Sequence, residues 1–215
     1  MHINRAIALG FAGVVFASAA AYAEDVITLG AAVSETGKYS TNGVFTIKGY
    51  QIAADKINSQ GGVKVGGKTY KLAVKYYDDE STPARGAELV DRLVKQDGIQ
   101  FILGPYSSGL TKAIAPVTEQ LKVPMVEANG ASRSLFTNGW KYIFATLSTA
   151  DQYLASVIDL AAEHADTLGK KPSDIKVAIV VENDPFSKDI RAGVIEQMKK
   201  YNMKLVVDDQ MPRDL

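Results

Sequence analysis

The side chains best placed to do chemistry in this sequence are serines beside glycines. Ser107 and Ser108 precede Gly109, and Ser132 follows Gly130 and Ala131, all within "IQFILGPYSSGLTKAIAPVTEQLKVPMVEANGAS" at residues 99–132. The run reads as a buried strand, a Gly/Ser turn, a helix, a short strand and a further Gly/Ser turn. In such a unit both turns fall at one edge of a parallel sheet, the edge where open α/β folds bind small molecules. Hydroxyls and unpaired backbone N–H groups at a helix start suit an anion, so the two turns predict a pocket for a small carboxylate. A serine before a helix also caps it, and one serine can do both.

Other chemistries find little support. "GPYSSG" lacks the Gly-x-Ser-x-Gly spacing of a nucleophile elbow. Beyond residue 23 the one histidine is His164, set in a helix far along the chain from the serines, which leaves them without a base. Asp78, Asp79 and Glu80 end a strand with no histidine nearby and read as a solvated loop rather than a metal site. The glycines at 61–67 do not follow a strand and open a helix, so they do not form a phosphate loop. Glu182, Asn183 and Asp184 follow a strand and are explained equally by a cleft edge or by a plain turn. The expectation is a binding protein, with no enzymatic activity, cofactor or metal.

The bulk properties agree. The 215 residues contain 24 basic and 24 acidic side chains and no cysteine, so disulfides and thiolate chemistry are absent. Residues 1–5 carry a positive charge, residues 6–17 are apolar, and Ala21-Tyr22-Ala23 supplies a small-x-small cleavage pattern. Residues 1–23 therefore read as a signal peptide that directs export to the periplasm. Its removal takes Arg5 and no acid, leaving 23 bases against 24 acids. That balance gives no electrostatic reason to expect nucleic acid or an anionic membrane as a partner.

The elements that must position the serines alternate. A strand is expected at 26–33, a turn-rich loop at 37–43, and a helix with Ile47, Tyr50, Ala54 and Ile57 on one face, stopped by Gly61-Gly62. Extended chain with a turn at Gly66-Gly67 fills 63–77. Thr82 and Pro83 open a helix buried through Ala87, Val90 and Val94. A strand at 99–103 leads to a helix buried through Leu110, Ala113, Ile114, Val117 and Leu121, with Pro116 predicting a kink or a late start. Strands follow at 123–126 and 141–146, with a loop or short helical turn between them and Trp140 as packing. This is one α/β lobe, residues 24–146. A second, residues 147–215, opens with a helix carrying Leu154, Val157, Ala161 and Leu168. It continues with a strand at 175–181, a helix starting at Asp184-Pro185, and a strand at 203–207. Two strands and two helices cannot cover a sheet on both faces, so the second lobe is expected to be truncated.

Six segments arrive in register: "GAAVSETGKYSTNG", "AADKINSQGGVKVGGKTYKLAVKYYDDESTPARGAELVDRLV", "FILGPYSSGLTKAIAPV", "VPMVEANGAS", "WKYIFAT" and "VAIVVENDPFSKDIRAGV". Together they resemble the type I periplasmic substrate-binding proteins of branched-chain amino acid ABC importers, the leucine/isoleucine/valine-binding protein family. The resemblance implies two Rossmann-like α/β lobes that close on a ligand as a hinged clamp. It also implies a longer chain that completes the second lobe and returns to the first.

It further implies that Ser108 holds the ligand carboxylate, with Ser107 adjacent and Tyr106 on the wall. Ser132 corresponds to a hydroxyl that contacts carboxylate and ammonium, and Gly130 and Ala131 to backbone contacts of the same turn. Phe186 corresponds to an aromatic ring over the ligand, although Ser187 stands where the family often has glycine. Tyr39 and Asn42 lie in the first contributing loop, and the carboxylate facing the ammonium falls beyond Leu215. The implied partners are an amino acid or similar solute and an inner-membrane permease, with the binding protein a monomer. A ligand-sensing periplasmic domain of a receptor or signalling system is the alternative, and a clamp missing half its parts is expected to bind weakly.

Overall fold

In the computed structural model, which describes residues 25–212, five helices and eight strands alternate along the chain. Strand β1 (Val26–Ala32) pairs in parallel with β3 (Lys68–Tyr77) on one side and with β4 (Ile102–Leu103) on the other. Beyond β4 lie β5 (Met125–Glu127) and β6 (Ile143–Ala145), both parallel. The short β2 (Val63–Val65) joins β3 antiparallel through the Gly66-Gly67 turn, giving the order β2-β3-β1-β4-β5-β6. The chain passes from β1 to β3 on one side and then crosses to β4 on the other, so a crevice opens outside the carboxyl ends of β1 and β4. The signal-peptide reading concerns residues 1–23, which lie outside the described residues.

Helices cover both faces of this sheet. α2 (Pro83–Lys95) and α3 (Ser108–Leu121) bury Leu89, Val90, Leu93 and Ile114 against Ile102 and Met125. Trp140 packs at the margin of that cluster. On the other face α1 (Ser40–Ser59) lays Ile47 and Tyr50 over Ala31, Val33 and Leu103.

Several local expectations are corrected. α1 begins at Ser40, inside the stretch expected to be loop: Gly43 lies so close to the Ser34 carbonyl that no Cβ would fit there. α2 buries Gly86, Leu89, Val90 and Leu93, one step round from the expected stripe. Gly86 is where Ile114 of α3 approaches closest, and a helix turns its smallest residue toward a close neighbour. The strand expected at 99–103 pairs only at Ile102 and Leu103, since the Ile99 amide donates to the Leu93 carbonyl at the end of α2. α3 has no late start and keeps Pro116 inside it. Pro116 and Lys112, whose carbonyl loses its intrahelical donor, are both exposed to water.

The second sheet has two parallel strands, β7 (Lys176–Glu182) and β8 (Lys204–Met211). α4 (Ala155–Glu163) and α5 (Pro185–Lys200) bury Ile158, Ala162, Val194 and Met198 against Ile179. The helix face expected from Leu154, Val157 and Leu168 is instead exposed, and Leu168 lies beyond α4 in a separate short turn. α4 is apolar on nearly every side, so periodicity alone does not select the face that meets α5. Every position of β8 is exposed.

A candidate small-molecule cavity between the sheet ends

A cavity of about 460 Å³ lies where the carboxyl ends of the two sheets face each other. Tyr39 enters it after β1, Tyr106, Ser107 and Ser108 after β4, Ala128 and Asn129 after β5, and Leu147 after β6. The facing wall is Tyr153, ahead of α4, with Glu182 at the end of β7 and Asp184, Phe186 and Ser187 after it. Each unit supplies one aromatic pair in edge-to-face contact. The Tyr39 and Tyr106 ring centroids are 5.6 Å apart, and those of Tyr153 and Phe186 are 5.7 Å apart.

The first turn is built around α3. Ser107 is its N-cap, and the hydroxyl accepts the Leu110 amide at 3.3 Å. Ser107 also carries φ of +95°, a conformation that costs a non-glycine residue about 1–3 kcal/mol. Ser108 is buried, and its Oγ accepts the Ser132 amide at 3.0 Å. That bond joins the two serine turns edge to edge, and the Ser108 hydroxyl hydrogen keeps no protein acceptor among the described residues.

The two turns meet, yet only part of the second reaches the cavity. Its lining is Ala128 and Asn129, while Gly130, Ala131 and Ser132 lie behind it. Ser132 is fully buried, with its hydroxyl 2.5 Å from Asp189 Oδ2 of α5 and within reach of Ser134 and the Pro185 carbonyl. Asp189 also accepts the Ser134 amide. The Ser132 hydroxyl thus fastens one unit to the other. Asn42 lies on α1 and lines an adjoining cavity of about 470 Å³ with Phe45, Tyr50 and Tyr106.

The acidic groups have separate duties. Asp184 caps α5, its Oδ1 accepting the Phe186 and Ser187 amides, which orients the Phe186 wall. Asp79 departs from the solvated loop expected here, being buried, whereas Asp78 is half-buried and Glu80 is exposed. Asp78 accepts the Glu35, Thr36 and Glu80 amides and the Thr36 hydroxyl. Burial pushes its carboxyl up, but those donors outweigh burial and hold it below the usual carboxylate value. Asp79 is buried on Ser34 and Ser81, and burial raises it. Ser81 in turn accepts the Tyr39 amide and places that ring. Among the described residues no three His, Cys, Asp or Glu side chains are grouped to hold a metal, and no helix is long and apolar enough to cross a membrane. His164 is the exposed residue that ends α4.

Sequence reasoning missed Ala128, Asn129, Leu147 and Tyr153. Asn129 shares the turn of Gly130 and could have been found there. Tyr153 and Leu147 carry no local signal, because nothing in the sequence brings residues 147–153 to the end of β4.

Two α/β sheets joined at their carboxyl ends over a cavity define a two-lobed binding fold. The chain belongs to the periplasmic binding protein family, whose model matches residues 26–214. It is 28% identical over 190 residues to Leu/Ile/Val-binding protein homolog 3 of Brucella melitensis, covering 88% of this chain and 48% of that protein. It also resembles the crystal structure of LivJ from Streptococcus pneumoniae in complex with isoleucine, with a TM-score of 0.73 and 24% identity, covering 89% of this chain and 51% of that one. A solute binding protein of an ABC transporter from Rhodopseudomonas palustris HaA2, in complex with p-hydroxybenzoic acid, gives a TM-score of 0.72 and 27% identity, covering 89% and 48%. The fold is the type I periplasmic binding fold, and the chain spans about half the length of these relatives.

Proposed function

We propose that this chain is the ligand-holding part of an exported solute-binding component of an ABC importer, taking a small carboxylate-bearing solute between its lobes. The observation that carries this reading is the Ser107–Ser108 start of α3, which opens into a cavity faced by the Tyr153–Phe186 pair. An anion there meets the Ser108 hydroxyl and the positive end of a 14-residue helix. Bonds of this kind to a charged acceptor contribute about 1.5–3 kcal/mol each. No bond is made or broken; lobe closure buries the solute and presents a new shape to an inner-membrane permease.

Leucine and isoleucine are the first solutes to test, since relatives are named for leucine, isoleucine and valine. Aromatic acids form the second class, suited to the two aromatic pairs and to the p-hydroxybenzoic acid of the Rhodopseudomonas relative. Amide chemical shifts of labelled protein, which register even millimolar binding, should saturate with leucine or 4-hydroxybenzoate and not with leucinamide. Ser108→Ala should weaken the binding about tenfold, the equivalent of about 1.4 kcal/mol. Equal responses to leucine and leucinamide, or none from a folded chain to any carboxylate, would refute the reading.

A further inference from the structure

Beneath the cavity floor sits a carboxyl group that the proposed binding does not use. Glu127, the last residue of β5, is completely buried. Its Oε1 accepts the Asn129 and Gly130 amides, both at 2.7 Å, so it shapes the turn carrying Ala128 and Asn129. Its Oε2 lies 2.8 Å from Thr111 Oγ1 on α3. The same Thr111 oxygen lies 2.8 Å from the Ser107 carbonyl. Gly104 flanks the group so tightly that a Cβ there would run into the carboxyl.

Complete burial, more than the hydrogen bonds alone, sets which form of Glu127 the site favours. Thr111 has one hydroxyl hydrogen and two oxygens at bonding distance, and the Ser107 carbonyl can only accept. The Ser107 carbonyl already accepts the Thr111 amide at 3.1 Å, so the Thr111 hydroxyl has two choices: it donates to an ionised Oε2, or it donates to Ser107 and accepts a hydrogen from a protonated Glu127. In the protonated form one directed chain runs from Glu127 through Thr111 to Ser107 and uses both short contacts of the Thr111 oxygen. Among the described residues no basic side chain forms an ion pair with Glu127. The titratable group that faces Glu127 is Tyr50 of α1, whose hydroxyl donates to the Gly104 carbonyl; Thr111 from α3 and Gly104 after β4 bring none.

We propose that Glu127 is a proton-carrying clip at neutral pH, a positioning residue that ties the turn after β4 to the turn after β5 and so sets the cavity floor. Its bearing on binding rests on the function proposed above; its protonation does not. Burial acts in the same direction, raising the Glu127 carboxyl above its ordinary 4.5. The sign follows from linkage. In the unfolded chain the group ionises above 4.5 while the folded protein keeps its proton, so this carboxyl's contribution to stability falls as pH rises from there.

Three measurements on the full chain test this. With carbon-13-labelled glutamate, the infrared difference between wild type and Glu127→Gln at neutral pH should show a protonated carboxyl stretch in the wild type. Glu127→Gln, a neutral mimic, should melt at or above the wild-type temperature, with its advantage growing from about pH 5 to about pH 7. Glu127→Ala should melt lower and shift the Asn129, Gly130 and Thr111 amide resonances. An ionised carboxylate band, or a glutamine variant that loses as much as the alanine variant, would overturn the proposal. None of these readouts needs a ligand, so a chain that binds nothing would remove the proposed function and leave this inference standing.

Discussion

The two sheets of this molecule are built from the same strand–helix alternation and end up differently protected. In the six-stranded sheet, α1 packs on one face and α2 with α3 on the other, and Leu93, Ile102, Ile114 and Met125 lose essentially all contact with water. In the two-stranded sheet, α4 and α5 cluster on the face that carries Ile179. The opposite side of β7 leaves Val180 more than half exposed, and all of β8 is accessible. A repeating unit therefore does not guarantee equal burial. Coverage depends on how many strands a sheet has and on which faces its helices meet. The cavity lies between these unlike partners, so its first wall stands on a closed core and its second on a partly open one.

Four substitutions would sharpen or break that contrast. The largest effect is expected for Ile114→Ala, which empties a fully buried position and should cost about 2–5 kcal/mol in denaturant unfolding. Val180→Ala in the second sheet should cost less than about 0.5 kcal/mol; equal losses would abolish the distinction. Next comes Asp189→Ala, which removes the acceptor shared by Ser132 and Ser134 across the two units. It should cost about 1–2 kcal/mol and speed hydrogen exchange in β7 and α5 while β1 and β3 stay protected. Uniform acceleration through both sheets would show that the units do not open separately. Ser107→Gly should act in the opposite direction and gain about 1 kcal/mol in thermal unfolding, because relief of the positive φ exceeds the few tenths lost with the cap. A loss instead would mean that the serine conformation carries no strain.

Much of the fold was legible because its signals are local. Gly61-Gly62 ends α1, Pro83 opens α2, Asp184 caps α5, and the apolar runs of β1 and β7 read as buried strands. Where a helix offers more than one apolar face the sequence underdetermines the outcome, as in α4, where Ile158 and Ala162 were buried in place of Leu154 and Val157. The candidate site divides in the same manner. Ser107, Ser108, Tyr106, Tyr39 and Phe186 reach the cavity from turns that composition marks, whereas Gly130, Ala131 and Ser132, in an equally well-marked turn, do not.

By itself the sequence determined the alternation of elements, the family and the two serine turns at one sheet edge, since each depends on residues near one another along the chain. Only the tertiary structure decided that the Ser132 hydroxyl bonds to Asp189 and that Glu127 lies sealed under the turn beside Thr111. Those outcomes depend on which distant group arrives within about 3 Å, the range over which a hydrogen bond is made, and on whether water is excluded when it does.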